Sequence, residues 1–216
     1  DDHFLIVNKS AGQLLHPTEP LHRETLDHAV AYYFQLKKIH NRVRHVHRLD
    51  QETSGAVMYA KHPLASALLD EQLSRKEIYR EYIAFVHGSL LDNEGTVNQP
   101  IGRDRHHPSK RRVTLQGDNA VTHYRVIKRY PGVTKVCCQL ETGRTHQIRV
   151  HFNHLGHPLL GDKLYGGKTD FISRQALHAI RLQGIHPFGE KFFQFEAVVP
   201  KDLLALERMI QSKNES

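Results

Sequence analysis

Only two cysteines occur in the 216 residues, and Cys137 and Cys138 are adjacent. They cannot brace distant parts of a fold, which excludes a disulfide-stapled secreted scaffold and favours a reducing compartment. Long apolar runs are missing too. Residues 177–182 form one of the longest, and His178 and Arg181 break it, far short of the roughly 20 residues that a membrane helix needs. The chain opens Asp1-Asp2-His3-Phe4, without an initiator methionine or a charged-then-apolar leader. No secretion signal is expected, and either the start has been trimmed or an N-terminal segment is absent. No Pro/Gly/Ser-rich linker, internal repeat or low-complexity stretch divides the sequence, so a single domain over residues 1–216 is expected.

Acidic residues are comparatively few: 23 Asp and Glu face 30 Lys and Arg, for a net charge of +7. A polyanionic partner fits that balance, although charge speaks of association rather than of fold. With 39% hydrophobic and 25% charged residues the chain can bury a core without staples and is not disordered in composition. Its 18 histidines call for metal binding, catalysis or surface decoration as an explanation.

Residues 4–7 read as a strand running into the turn Asn8-Lys9-Ser10-Ala11-Gly12. Leu26, Ala29, Val30, Tyr33 and Phe34 recur on one helical face behind a Thr25 N-cap, with Lys37 and Lys38 suited to the C-terminal dipole. Short strands are expected at 43–49 and 56–60 around the polar insert Asp50-Gln51-Glu52-Thr53-Ser54-Gly55. Residues 63–76 return to helical spacing with Leu64, Ala67, Leu68 and Leu73 on one side, and 79–86 alternate as a strand up to Gly88. Residues 102–112 hold five Lys/Arg against Asp104 alone, a flexible basic loop by composition. Strands at 121–128 and 134–140 precede a short helix marked by Ile148, Phe152 and Leu155. Further strands at 175–182 and 191–199 lead to a terminal helix near Pro200. This order has no regular strand-helix-strand run, so an α+β fold with a mixed, largely antiparallel central sheet flanked by helices and loops is expected, not a doubly wound one.

Two segments could carry chemistry. In His47-Arg48-Leu49-Asp50-Gln51-Glu52-Thr53-Ser54-Gly55, a carboxylate sits at a break after an apolar strand. On spacing alone it is better explained as a turn cap, its side chain bonded to the amide of Glu52 or Thr53. In Thr142-Gly143-Arg144-Thr145-His146-Gln147-Ile148-Arg149-Val150-His151, donors gather at a helix start, where free amides favour anions. A capped amphipathic helix explains that segment equally well. Neither segment alone names a reaction.

Together they resemble the RluA-type family of pseudouridine synthases. Its signatures run in order: Asn8-Lys9 through His16-Pro17; His47-Arg48-Leu49-Asp50 with Thr53-Ser54-Gly55 and Ala60-Lys61; Tyr82-Ile83-Ala84 with Val86 and Gly88; Thr142 through His151; then Leu155-Gly156-His157-Pro158 with Gly161-Asp162 and Tyr165-Gly166. Weaker echoes, Leu177-His178-Ala179, His186-Pro187 and Pro200, reach almost to the C-terminus. The resemblance implies the pseudouridine synthase fold with an active-site cleft. It also implies isomerisation of a uridine already in RNA: the uracil is detached from its sugar, rotated, and rejoined through a ring carbon. No metal or cofactor is implied, the partner is ribosomal or transfer RNA, and a cytoplasmic monomer is expected.

Residue by residue, Asp50 matches the family's essential aspartate, which must act ionised whichever of its described steps is correct. Arg149 matches the basic partner of that aspartate, since a guanidinium beside a carboxylate favours its charged form and fixes its direction. Tyr82 matches the aromatic residue that packs on the target base; stacking of this kind is worth about 1–3 kcal/mol per base. Arg48 matches a residue that fills the space left by a flipped base, and extrusion itself costs a few kcal/mol. A salt bridge to a neighbouring acid is the plain alternative for Arg48. Arg144 and His146 belong to the supporting wall, and Lys110, Arg111 and Arg112 to a loop that contacts phosphates.

The departures are few. Ser10 stands where the family usually has Pro, and Glu52 occupies a variable position. Many relatives carry a basic RNA-binding domain ahead of the catalytic one, whereas this sequence begins at the catalytic strand. Two other readings compete. A non-catalytic RNA-binding module explains the charge but leaves Asp50, Tyr82 and Arg149 together as coincidence. A histidine-metal hydrolase is suggested by His151, His154 and His157 and by His45 and His47, without paired Cys ligands or a Glu-bearing metal motif.

Overall fold

The computed structural model describes residues 1–19 and 23–212. In chain order the elements are β1 (Phe4–Lys9), α1 (Leu26–Leu36), β2 (Arg44–His45), β3 (Ser54–Ala60), α2 (Pro63–Ser74), β4 (Tyr79–His87), β5 (Glu94–Asn98), β6 (Ile101–Arg103), β7 (Arg111–Val113), β8 (Val121–Tyr130), β9 (Val133–Leu140), α3 (Gln147–His154), a 3-10 turn (Lys163–Tyr165), β10 (Leu177–Ile185), β11 (Phe192–Glu196) and α4 (Lys201–Ser212). The class is α+β, as the element pattern predicts. The chain divides into two compact units, residues 1–80 with 179–198, and residues 81–178 with 199–216.

In the first unit β3 pairs antiparallel with β1, from Phe4 opposite Ala60 to Lys9 opposite Gly55, and β11 pairs antiparallel with β10. All seven residues of β3 are buried, which explains why Ser-Gly-Ala-Val-Met-Tyr-Ala lacks the alternation of a half-exposed strand. α1 forms as its spacing predicts. The Thr25 hydroxyl accepts from the His28 amide, and Leu26, Val30 and Phe34 are buried at intervals of four. α2 presents a different face from the expected one. Ala65, Ser66 and Leu69 are buried, whereas Leu64 is 58% exposed and Ala67 is also exposed. Apolar size favours Leu64 and Leu68, but the helix packs on β3, where the small residues permit a close approach.

The expected strand at 43–49 shrinks to Arg44–His45. After Val46, whose amide donates to the Met58 carbonyl, the chain leaves the sheet. Gly55 fixes the other end of the polar insert. With φ +120° and Ala179 backbone atoms 2.2–2.7 Å from where a Cβ would lie, no other residue fits without displacing β10.

In the second unit β4, β9, β8 and β5 follow one another, each antiparallel to its neighbour, with a register shift between Val126 and Lys128. α4 lays Leu203, Leu206 and Ile210 against Phe85, Tyr130 and Val133. Its Glu207 carboxylate accepts from Lys135 Nζ at 2.8 Å and from the Tyr130 hydroxyl at 2.8 Å. The two ends of the expected loop at 102–112 pair as a hairpin, Ile101 with Val113, Gly102 with Arg112 and Arg103 with Arg111, while residues 104–110 between them form neither strand nor helix. Three-residue strands of Ile-Gly-Arg and Arg-Arg-Val leave no periodic signal, and only tertiary pairing reveals them. Leu155, expected on the apolar face of α3, is the exposed C-cap residue instead.

Candidate functional site

In the first unit the aspartate segment is held by its backbone. The Thr53 amide donates to the Asp50 carbonyl at 3.0 Å, closing the turn. Buried Lys9 reaches underneath and donates from Nζ to the carbonyls of Ser10, Gln13 and Gln51 at 2.7–2.8 Å. The Gly12 amide also donates to the Gln51 carbonyl, and the Gln51 side chain donates back to the Gly12 carbonyl. An ammonium satisfied by three carbonyls ties two turns together at the position of the carboxylate. His47 and Leu49 are buried, Asp50 is half-buried and Arg48 is exposed. Among the described residues no acid pairs with Arg48.

Burial, reinforced by the charges of Arg80 and His45, lowers the pKa of His47 to about 3. Its Nε2 accepts from the Met58 amide, as a neutral imidazole can. Above the unfolded value near 6.5 both states are neutral, so the group adds no pH dependence. Below it the unfolded chain binds a proton that the fold refuses, and stability falls by about 1.4 kcal/mol per pH unit down to the folded pKa. From pH 7 to 5 the contribution of His47 is a loss of about 2 kcal/mol. Urea unfolding at the two pH values checks this against His47→Gln, whose amide oxygen can still accept from Met58. The Gln variant should lose about 2 kcal/mol less than wild type over the same interval. Equal losses would refute the neutral buried imidazole.

In the second unit Tyr82 is buried on β4 opposite Cys138. Arg149, in the first turn of α3, is buried and clamped. Its Nε and Nη2 donate to Asp162 Oδ2 and Oδ1 at 2.7 and 2.9 Å, and its Cζ lies 5.0 Å from the centroid of the Tyr165 ring. The pair is almost dry, at 8% and 1% side-chain exposure. Beside Asp162, Gly161 lets the backbone of residues 172–174 approach: with φ +73° its Cβ position lies 2.0 Å from the Arg174 carbonyl oxygen. Tyr165 links this pair to the basic hairpin. Its hydroxyl accepts from the Arg111 amide at 2.9 Å, and Lys110 Nζ sits 5.4 Å from its ring centroid. The same hydroxyl lies 2.9 Å from Nδ1 of His146, whose left-handed backbone (φ 59°) opens α3.

The wall residues are also tied down. Arg144 Nε donates to the Asn119 carbonyl, and its amide donates to Gln147 Oε1. Buried Gln147 accepts from the Thr142 hydroxyl and donates to the Val121 carbonyl and Thr122 Oγ1. Lys110 and Arg111 are half-buried and Arg112 exposed on the hairpin. Asp50 thus stands in the first unit, and Tyr82, Arg149, Arg144, His146 and the hairpin cations in the second.

Sequence reasoning passed over Lys9, Gln147, Asp162 and Tyr165 as site residues, although all four lie inside quoted motifs. Their roles depend on burial and on partners that the fold brings close, such as Gln51 for Lys9 and Asp162 for Arg149, for which spacing carries no signal. Two of the suspected metal histidines have ordinary partners: His151 lies 2.8 Å from Thr122 Oγ1 and 3.0 Å from the Gln99 carbonyl, and His157 lies 2.7 Å from the His87 carbonyl. Among the described residues no three His, Cys, Asp or Glu side chains gather as metal ligands.

The RNA pseudouridylate synthase family model matches residues 3–154. The chain belongs to that family. A Bacillus subtilis relative, described as an uncharacterized RNA pseudouridine synthase (YhcT), is 50% identical over 210 residues, 96% of this chain and 70% of its own length. The ribosomal large subunit pseudouridine synthase D of Xanthomonas campestris is 40% identical over 220 residues, 95% of this chain and 66% of that protein. Among solved structures, human RNA pseudouridylate synthase domain containing 1 superposes with TM-score 0.75 at 26% identity, covering all of this chain and 93% of that one. The expected fold and family are both borne out. This pseudouridine synthase is therefore an isomerase acting on RNA. No helix among its described residues is long and apolar enough to cross a membrane.

Proposed function

We propose that this synthase converts uridines of ribosomal RNA to pseudouridine, with Asp50 as the essential carboxylate, Arg149 as its basic partner and Tyr82 against the target base. Transfer RNA is the second candidate substrate. The observation that carries the site assignment is the clamp on Arg149. A bidentate carboxylate and an aromatic face hold the guanidinium in one orientation before any substrate arrives, as a group that must direct a reacting carboxylate requires. The name and 40% identity of the large-subunit enzyme support ribosomal RNA as substrate, and with it a cytoplasmic site of action.

The reaction breaks the bond from sugar to ring nitrogen and forms one from sugar to ring carbon. The carbon gives up a proton and the nitrogen gains one, so nothing is oxidised and no co-reactant is consumed. Asp50 serves it ionised, Arg48 occupies the space of the extruded base, and Arg144 and His146 shape the wall. The family match runs across residues of both compact units, which supports one catalytic domain over the whole chain. Mapping pseudouridines in protein-free ribosomal and transfer RNA transcripts, with and without the protein, tests the reading. New sites in ribosomal RNA are the expected result, and none in either class would refute it.

The hairpin cations are assigned to phosphates. Tyr165 fixes their base on the second unit while Arg103, Arg105 and Arg112 remain exposed. Changing Lys110, Arg111 and Arg112 together to Ser should reduce the log–log salt slope of RNA binding by about 2 to 3, at about 0.7–0.9 per lost phosphate contact. Fluorescence anisotropy across a salt series measures it, and an unchanged slope would remove the hairpin from RNA.

A further inference from the structure

Residues 37–44 carry Lys37, Lys38, Arg42 and Arg44 and no acid, a density of positive charge that the site described above does not use. They begin where α1 stops. Lys38 takes a left-handed backbone (φ 55°), and the amides of Lys37, Lys38 and Ile39 donate to the carbonyls of Tyr33, Gln35 and Phe34. The carbonyls of Tyr33, Phe34 and Gln35 are therefore occupied, and the roughly half negative charge of a helix C-terminus is outweighed by neighbouring cations. The segment and the last turns of α1 line a groove of about 370 Å³, with Phe34, Ile39 and Val43 as apolar lining and Lys38, His40 and Arg42 as polar lining. All three polar residues are exposed.

Among the described residues no carboxylate pairs with Lys38 or Arg42. By contrast, Arg174, Arg181, Lys135 and Arg149 each hold an acid. Beyond what Lys38 gains at the C-terminal dipole of α1, cations around a concavity without a carboxylate repel one another and leave a positive potential that attracts an anion. We propose that this groove is an RNA-phosphate site separate in sequence from the hairpin. Lys38 and Arg42 each neutralise a backbone phosphate of the substrate RNA, and His40 adds a hydrogen-bonding ring between them. The chemistry is sequence-independent backbone contact, which sets the register of the RNA without reading bases. The proposal rests on the family's RNA substrate and not on the roles given to Asp50 or Arg149.

The test compares Lys38→Gln/Arg42→Gln with a charge-matched control, Lys191→Gln/Lys201→Gln, at two exposed lysines outside the groove. A fluorescein-labelled RNA stem–loop is titrated by anisotropy at salt concentrations between roughly 50 and 200 mM. The groove variant should lower the log–log slope by about 1.5, the share of two phosphate contacts, and the control by less than half of that. In pseudouridine formation the groove variant should raise KM and leave kcat at saturating RNA unchanged. An unchanged slope, an equal fall in the control, or a loss confined to kcat would overturn the site. Wild type that binds the stem–loop yet modifies no RNA would sink the catalytic assignment and leave this inference standing.

Discussion

Asp50→Asn should reduce pseudouridine formation by at least about 10³-fold, as removal of a group central to the chemistry does elsewhere, while RNA affinity stays within a factor of about two. The substitution changes one oxygen for an amide and removes the charge. Bonds of the Asp50 carbonyl, the Gln51 carbonyl and the Lys9 ammonium help to hold the segment. Asn leaves these in place, and preserved RNA affinity beside lost turnover reports chemistry and not collapse. Single-turnover conversion of a ribosomal RNA fragment, beside anisotropy on the same fragment, separates the two quantities. Normal turnover by the Asn variant would remove Asp50 from the reaction. Wild-type turnover should also persist in excess chelator, and its loss there would revive the metal reading that His151, His154 and His157 suggest.

Asp162→Ala should cost about 3–5 kcal/mol of stability, because it takes the carboxylate from a buried guanidinium. Arg149→Met should cost a similar amount for the mirror-image reason, since it leaves the Asp162 carboxylate at 1% exposure without its partner. Loss of activity in the Arg149 variant alone therefore cannot separate catalysis from folding. The double variant Arg149→Met/Asp162→Ala removes both charges and should regain most of the lost stability, giving a coupling of about 3 kcal/mol in a double-mutant cycle. It should nevertheless form no pseudouridine. Urea midpoints and turnover on the four proteins measure the cycle. Coupling below about 1 kcal/mol would mean that the pair is as weak as a surface bridge. Normal turnover in a folded double variant would end the role of Arg149 as the carboxylate's partner.

Sequence and structure agree most closely where a pattern repeats. Leu26, Val30 and Phe34 mark α1 because burial on one side of a helix recurs every 3.6 residues, and Thr25 marks its start because its short polar side chain accepts the His28 amide. β4, β8 and β9 are long enough for alternation to rise above chance. Agreement fails where the determining contact lies outside the segment. The α2 face is chosen by how closely β3 can be approached, which favours Ala65 and Ser66 over the larger Leu64. The hairpin of Ile101–Arg103 with Arg111–Val113 exists through cross-strand pairing and a tyrosine hydroxyl more than fifty residues away, and its arginines read as loop.

The motifs around Asp50, Tyr82 and Arg149 identify the family without coordinates, because isomerising a base in RNA restricts which side chains can stand at those places. By itself the sequence thus determined the α+β class, the membership among RNA pseudouridine synthases and the residues on which the reaction is proposed to depend. Only the tertiary structure decided what holds them. Lys9 under the aspartate turn and Asp162 against Arg149 are charges whose cost of burial is offset solely by partners brought close in space, and that closeness is a property of the fold.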